Sequence, residues 1–196
     1  METHFQLEET IDAEWYLNQI DHDKWIDYKN LTDKSSGYYG ISLMQKENSS
    51  TPELDSLSVF DDDDSKVNII REDIPEGFKH FLKLFTVPIS KARLAKITSK
   101  GLLPPHIDTG YEEITRLHWP LQTNDKSYWH WYENKKRIDT LHLKSGFGYA
   151  MNTNVMHSVQ NKGMLDRIHL ILNVDMSYNR LLTNRDSIGK TITSIS

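Results

Sequence analysis

His106 and Asp108 stand one residue apart in the segment LLPPHIDTG, directly after two prolines. Successive side chains of an extended chain point to opposite faces, so these two share a face and Ile107 takes the other. His157 opens the strand-like stretch HSVQN much further along the chain. Two imidazoles and one carboxylate on one side of an ion form a facial triad, which leaves positions open on ferrous iron for a bidentate organic acid and for oxygen. The same three ligands around zinc, with a bound water, would instead serve a hydrolase.

Arg167 is the second element of this chemistry. It follows His157 across the reversal NKG, where Gly163 is expected to take the positive φ that such a turn often needs. A guanidinium is planar and always charged, and its fork suits a carboxylate. Two strands joined by that turn would bring Arg167 near the metal ligands, although one residue of slip would reverse its face. HxD alone is a weak signal; the distal histidine and the arginine sharpen it.

These residues need a scaffold, and composition bounds what it can be. The chain of 196 residues is long enough for one well-buried core and short for two, so a single domain is expected. A formal charge of −5 gives no broad basic footprint, which argues against nucleic acid as the main partner. Cysteine is absent, which excludes disulfides, Cys-ligated zinc and thiol nucleophiles. Any metal must sit on His, Asp or Glu. The N-terminus lacks a basic segment followed by an apolar one, and no apolar run is long enough to span a membrane, so a soluble, cytoplasmic protein is expected.

Residues 10–21 read as a helix with Thr10 and Asp12 as capping candidates, and GYYGISLM at 37–44 reads as a strand. QKENSSTPELDSLS is polar and turn-rich, so a surface loop is expected, and the acidic run FDDDDSK reads as a solvated loop. In IPEGFKHFLKLF, Pro75 lies near a helix start, and Phe78, Phe81, Leu82 and Phe85 form one apolar face with His80 outside it.

From Lys91 the period becomes that of strands: ARLAKIT, ITRLHWPLQT, TLHLKSGFGYAM, VMHSVQN and RIHLILNVD, separated by turn signals. Strands so spaced, with no helical period between them, imply an antiparallel sandwich or barrel. The expected organisation is a helical and strand support over 1–90, a β core with the metal site over 91–176, and a C-terminal extension over 177–196. His106, His118, His130 and His142 recur at equal spacing in unlike contexts, which is coincidence and not a repeat.

Over about residues 92–175, the ordered set ARLAKI, LLPPHIDTG, RLHWPLQTN, HLKSGFGYAMNTNVMHSVQNKG and DRIHLILNVD resembles the aspartyl/asparaginyl β-hydroxylase-like branch of iron(II)- and 2-oxoglutarate-dependent oxygenases. That branch includes bacterial hydroxylases of free proline. The resemblance implies a mainly β fold with flanking helices, the double-stranded β-helix also called a jelly-roll or cupin-like barrel. It implies His106, Asp108 and His157 as iron ligands, Arg167 on the distal carboxylate of 2-oxoglutarate, and His118 in contact with the same cosubstrate. Some animal members lack the carboxylate ligand, and Asp108 places this chain nearer the full-triad, bacterial-like members.

The implied reaction is hydroxylation of an amino acid, free or in a peptide, with oxygen consumed and succinate and CO2 released. Arg116 shares the face of His118 and could meet a substrate carboxylate or 2-oxoglutarate. Trp129, His130, Trp131 and Tyr132 in SYWHWYENKKR could wall the site or staple a surface hairpin. Trp119 should pack on the opposite face, His142 and His169 read as structural, and Gly146 and Gly148 suit a turn or bulge. Other classes stay open: a cupin-like binding or structural module without turnover, or a zinc-dependent hydrolase.

Overall fold

The computed structural model describes residues 2–28, 36–57, 63–108 and 113–183. The strands are β1 (His4–Thr10), β2 (Ile26–Asp27), β3 (Ser36–Ser42), β4 (Met44–Gln45), β5 (Ile69–Ile70), β6 (Ile89–His106), β7 (Thr115–Gln122), β8 (Ser127–Glu133), β9 (Lys136–Leu141), β10 (Phe147–Met151), β11 (His157–Asn161) and β12 (Arg167–Val174). The helices are α1 (Ala13–Leu17), α2 (Pro52–Asp55), α3 (Glu76–Lys83) and α4 (Tyr178–Thr183). No described helix is long and apolar enough to cross a membrane.

Ten strands form one curled antiparallel sheet in the order β1-β10-β7-β12-β6-β11-β8-β9, with β3 and then β2 attached to β6. Strand β6 makes the curl possible because it serves two walls. Its first half pairs with β12 through Leu94↔Leu170 and with β3 through Leu94↔Ile41. Its second half pairs with β11 through Leu103↔Val159 and His106↔His157. Between the halves, Lys100 has φ 63°, and Gly101 follows it where the strand bends. The result is the expected jelly-roll, a mainly β barrel with few helices.

Alternation sorts the side chains into two cores. Outward from the larger wall, Leu94, Leu117, Trp119, Leu170 and Leu172 pack with Tyr16 of α1 and with Phe78, Phe81 and Leu82 of α3. Inward, Ala95, Ile97, Trp129, Trp131, Tyr149, Met151, Val159 and Ile171 line the barrel with Tyr28 and Tyr38. Every residue of β12 is buried, because this central strand is covered on both faces. The aromatic face expected for α3 is the face that docks, with Trp119 edge-on to Phe81 at 5.1 Å.

Several expectations need correction. Residues 4–10 are a strand, β1, so Thr10 ends a strand; the helix is only Ala13–Leu17, capped by Asp12, which accepts from the backbone N–H of Trp15. The stretch taken for a surface loop contains α2, and Asp55, Ser56 and Leu57 are buried beneath β3 and β4 because Ser42 and Ser56 hydrogen-bond the Met44 carbonyl. In the acidic run, Asp64 is not solvated: its carboxylate binds the buried ammonium of Lys91. Phe60, Asp61 and Asp62 lie outside the described residues.

TLHLKSGFGYAM is two strands, divided by a turn at Gly146 with φ 83°. Gly163 does not use positive φ. It is required by close approach instead, since a Cβ there would lie 2.0 Å from the Asn124 side-chain oxygen.

Candidate functional site

The elements bring His106, Asp108 and His157 together at one mouth of the barrel. His106 ends β6, Asp108 lies just beyond it, and His157 opens β11 opposite His106 in register. Their ligand atoms lie within 4.8 Å of one another, the reach of a single metal ion. His106 Nδ1 lies 2.8 Å from the Pro104 carbonyl and His157 Nδ1 lies 2.9 Å from the Val155 carbonyl. A carbonyl can only accept, so Nδ1 carries the proton on both rings and each Nε2 keeps its lone pair, the arrangement that orients ligating histidines.

Electrostatics favour the ligating protonation states of His157 and Asp108. Burial lowers the His157 pKa to about 4, partly offset by the Asp108 charge. Burial alone would raise Asp108, but Arg116, His157 and His106 together keep it below its ordinary value. Arg116 makes the closest of these contacts: its Nη1 donates to Asp108 Oδ2 at 2.5 Å. The other oxygen, Oδ1, faces His106 Nε2 at 3.5 Å.

A run of rings leads inward from this cluster. His106 lies 4.3 Å from His157, His157 stacks on Trp129 at 5.0 Å, and Trp129 meets His118 edge-on at 5.1 Å. His118 meets His169 edge-on at 5.8 Å, and His169 Nδ1 accepts from Arg167 Nη2 at 3.0 Å. Arg167 therefore faces inward, which its spacing had left open. It is 4% exposed, and burial lowers its pKa to about 9. Among the described residues no carboxylate pairs with it.

Buried polar atoms without partners mark the same interior. Both nitrogens of His118, the Trp129 indole N–H, His169 Nε2 and Arg93 Nε have no hydrogen-bond partner among the described residues. An unmet buried polar atom is costly, and several on one inward face could be met by a polar ligand. Arg93, Arg116 and Arg167 are all buried, and burial first, then the charges of Arg167, Arg116 and Arg93, push the His118 pKa well below its ordinary value. A dicarboxylic acid and a metal–carboxylate centre fit this cationic lining.

Each candidate from the sequence has a place. Trp129 and Trp131 face inward as barrel wall and are nearly inaccessible, whereas His130 and Tyr132 face the other way, toward Thr140 and Ser158. The β8–β9 hairpin closes through Asn134 and Lys135, both at positive φ, but β8 also pairs with β11, so it is an interior strand. Trp119 packs outward as expected, His80 is exposed, and His142 is tied to the Ser127 carbonyl. His169 is buried and hydrogen-bonded to Arg167. Sequence reasoning also passed over Lys91, Arg93 and Asp64, although alternation along ARLAKIT puts Arg93 on the face of Ala95 and Ile97.

The fold and site together define a jelly-roll β-barrel protein with a His-Asp-His cluster that could hold a metal ion and an arginine facing inward. The family model for Aspartyl/Asparaginyl beta-hydroxylase matches residues 41–176, and the chain belongs to that family. The prolyl-4-hydroxylase of Pseudomonas putida is similar in fold, with a TM-score of 0.56 over 90% of this chain and 94% of that one at 8% identity. An oxidoreductase of the 2OG-Fe(II) oxygenase family from Burkholderia pseudomallei gives 0.44 over 73% of each chain at 9% identity. A cupin domain from Bordetella pertussis gives 0.34 over 44% of this chain and 80% of that one at 14% identity. No curated protein matches the sequence.

Proposed function

We propose that this protein is an iron(II)- and 2-oxoglutarate-dependent dioxygenase that hydroxylates an amino acid, free or within a peptide. The observation that carries the reading is the pairing of two features on the inward side of the sheet: converging ligand atoms on His106, Asp108 and His157, and a buried Arg167 with no carboxylate partner among the described residues. The three would hold ferrous iron; Arg167, with His118 beside it, would take the distal carboxylate of 2-oxoglutarate. Iron and 2-oxoglutarate, when bound, would supply the oxidising power for hydroxylating a C–H bond, with oxygen consumed and succinate and CO2 released.

The chain's own residues orient and exclude. Arg116 keeps Asp108 ionised and aimed, so it is engaged before any substrate arrives. Trp129 and Trp131 form a dry wall against His157, which keeps bulk water from the reacting centre. Arg93, buried and with no partner for its Nε among the described residues, is the group that favours a substrate bearing a carboxylate. The whole chain reads as one oxygenase domain, with β1 and β3 of the N-terminal support completing the larger wall of the core.

The test is an anaerobic visible absorption titration of metal-free protein with ferrous iron and 2-oxoglutarate, followed by succinate release across amino acids and peptides. A charge-transfer band in wild type, lost in His106→Ala and demanding more 2-oxoglutarate in Arg167→Ala, is the expected result. No band from folded, metal-loaded protein would refute the reading.

A further inference from the structure

His169 sits on β12 two residues from Arg167, on the same inward face, and is fully buried. Arg167 can only donate, so the contact at 3.0 Å makes His169 Nδ1 the acceptor and puts the ring proton on Nε2. Burial and the adjoining guanidinium both oppose a second proton, so the ring stays neutral. Few acceptors combine these properties. A carboxylate at this position would orient Arg167 equally well but would neutralise it; an aliphatic side chain would leave both its charge and its direction unconstrained.

We propose that His169 is a positioning residue for Arg167: a neutral acceptor that fixes the guanidinium fork while leaving its full charge for an incoming carboxylate. The inference rests on the 2-oxoglutarate reading and deepens it. Selection for a dicarboxylic over a monocarboxylic 2-oxoacid then depends on the Arg167–His169 pair as a unit. A merely structural histidine would affect both ligands alike.

The experiment measures calorimetric affinities of the Mn(II)-loaded protein for 2-oxoglutarate and for 2-oxopentanoate, which has the same chain length and no distal carboxylate. Wild type, His169→Leu, His169→Gln and His169→Glu are compared, each checked by thermal melting. Removing the acceptor in His169→Leu should weaken 2-oxoglutarate about tenfold and leave 2-oxopentanoate unchanged. His169→Gln, a neutral acceptor, should restore most of the preference. His169→Glu should abolish it by neutralising Arg167.

Equal 2-oxoglutarate affinity in wild type and His169→Leu would overturn the proposal, as would equal weakening of both ligands. Should His169→Leu not fold, the contrast between Gln and Glu decides, and no difference between them overturns the proposal. Wild type that binds neither oxoacid would instead overturn the 2-oxoglutarate reading beneath it.

Discussion

Arg116 donates to one oxygen of Asp108 while the other oxygen of that carboxylate faces His106. The arginine lies on β7 and the carboxylate just beyond β6, so the ligand is aimed by a strand other than its own. Asn173 of β12 in turn accepts from Arg116 Nε at 3.4 Å and donates to Asp64 at 3.3 Å. The His-Asp-His cluster is thereby tied to the acidic run through two side chains, Arg116 and Asn173.

Arg116→Leu should weaken metal binding by roughly 10- to 100-fold, the usual cost of losing a group that orients a ligand. Arg116→Lys should recover part of it, since an ammonium restores the charge without the planar fork. Competition against a chromogenic chelator measures both. Unchanged metal affinity in Arg116→Leu would show that Asp108 is aimed without it.

Asp64 and Lys91 form a buried ion pair, with side chains 10% and 7% exposed. Removing one partner strands the other charge, so Asp64→Ala should cost about 3–5 kcal/mol. Replacing both by apolar residues should cost less than the two single changes summed. Urea unfolding of the full double-mutant cycle tests this, and additivity would mean that the pair is not coupled.

His118 and His169 are both held well below the ordinary histidine pKa, first by burial and then by Arg167. Below about pH 6.5 the unfolded chain takes up protons on both rings and the folded chain does not. The unfolded state therefore binds more protons there, and stability rises with pH. The contribution is present above about pH 6.5 and is lost as pH falls from that value. Urea midpoints of metal-free protein at about pH 7.5 and about pH 5.5 should show the drop, with a smaller slope in His169→Gln. An unchanged slope in that variant would show that the ring does not titrate in this way.

Trp119 is fully buried where β7 meets α3, edge-on to Phe81 and Phe85. Trp119→Ala should cost about 3–5 kcal/mol through the cavity it leaves. Trp119→Phe should cost less, partly because the indole N–H has no hydrogen-bond partner among the described residues and its removal relieves an unmet donor. Calorimetric melting of the two variants gives the comparison, and equal losses would mean that ring volume is not what matters there.

Much of the site was legible because its signals are local. The alternation in HID placed two candidate metal ligands on one face, HSVQN offered a third candidate, and the strand period after Lys91 pointed to a β barrel. The aromatic face of α3 and the outward packing of Trp119 followed from periodicity alone. Less legible was anything whose meaning depends on what lies opposite. His169 alternates with apolar residues as a structural histidine would, and only the inward turn of Arg167 makes it an acceptor. Asp64 stands in a run of four aspartates that solvent would suit, yet Lys91 reaches it from a strand far along the chain.

The sequence by itself determined residue types, strand period and the spacing of the metal-ligand candidates, because these depend on backbone geometry within a few residues. Tertiary structure decided which charges meet. Arg116 faces the Asp108 carboxylate, Arg167 a neutral imidazole, and Arg93 has a nitrogen with no partner among the described residues. The three are alike as isolated arginines. Their different roles come from strand register, since register sets the buried neighbour and, in a water-poor interior, the neighbour decides whether a charge is compensated or remains available to bind.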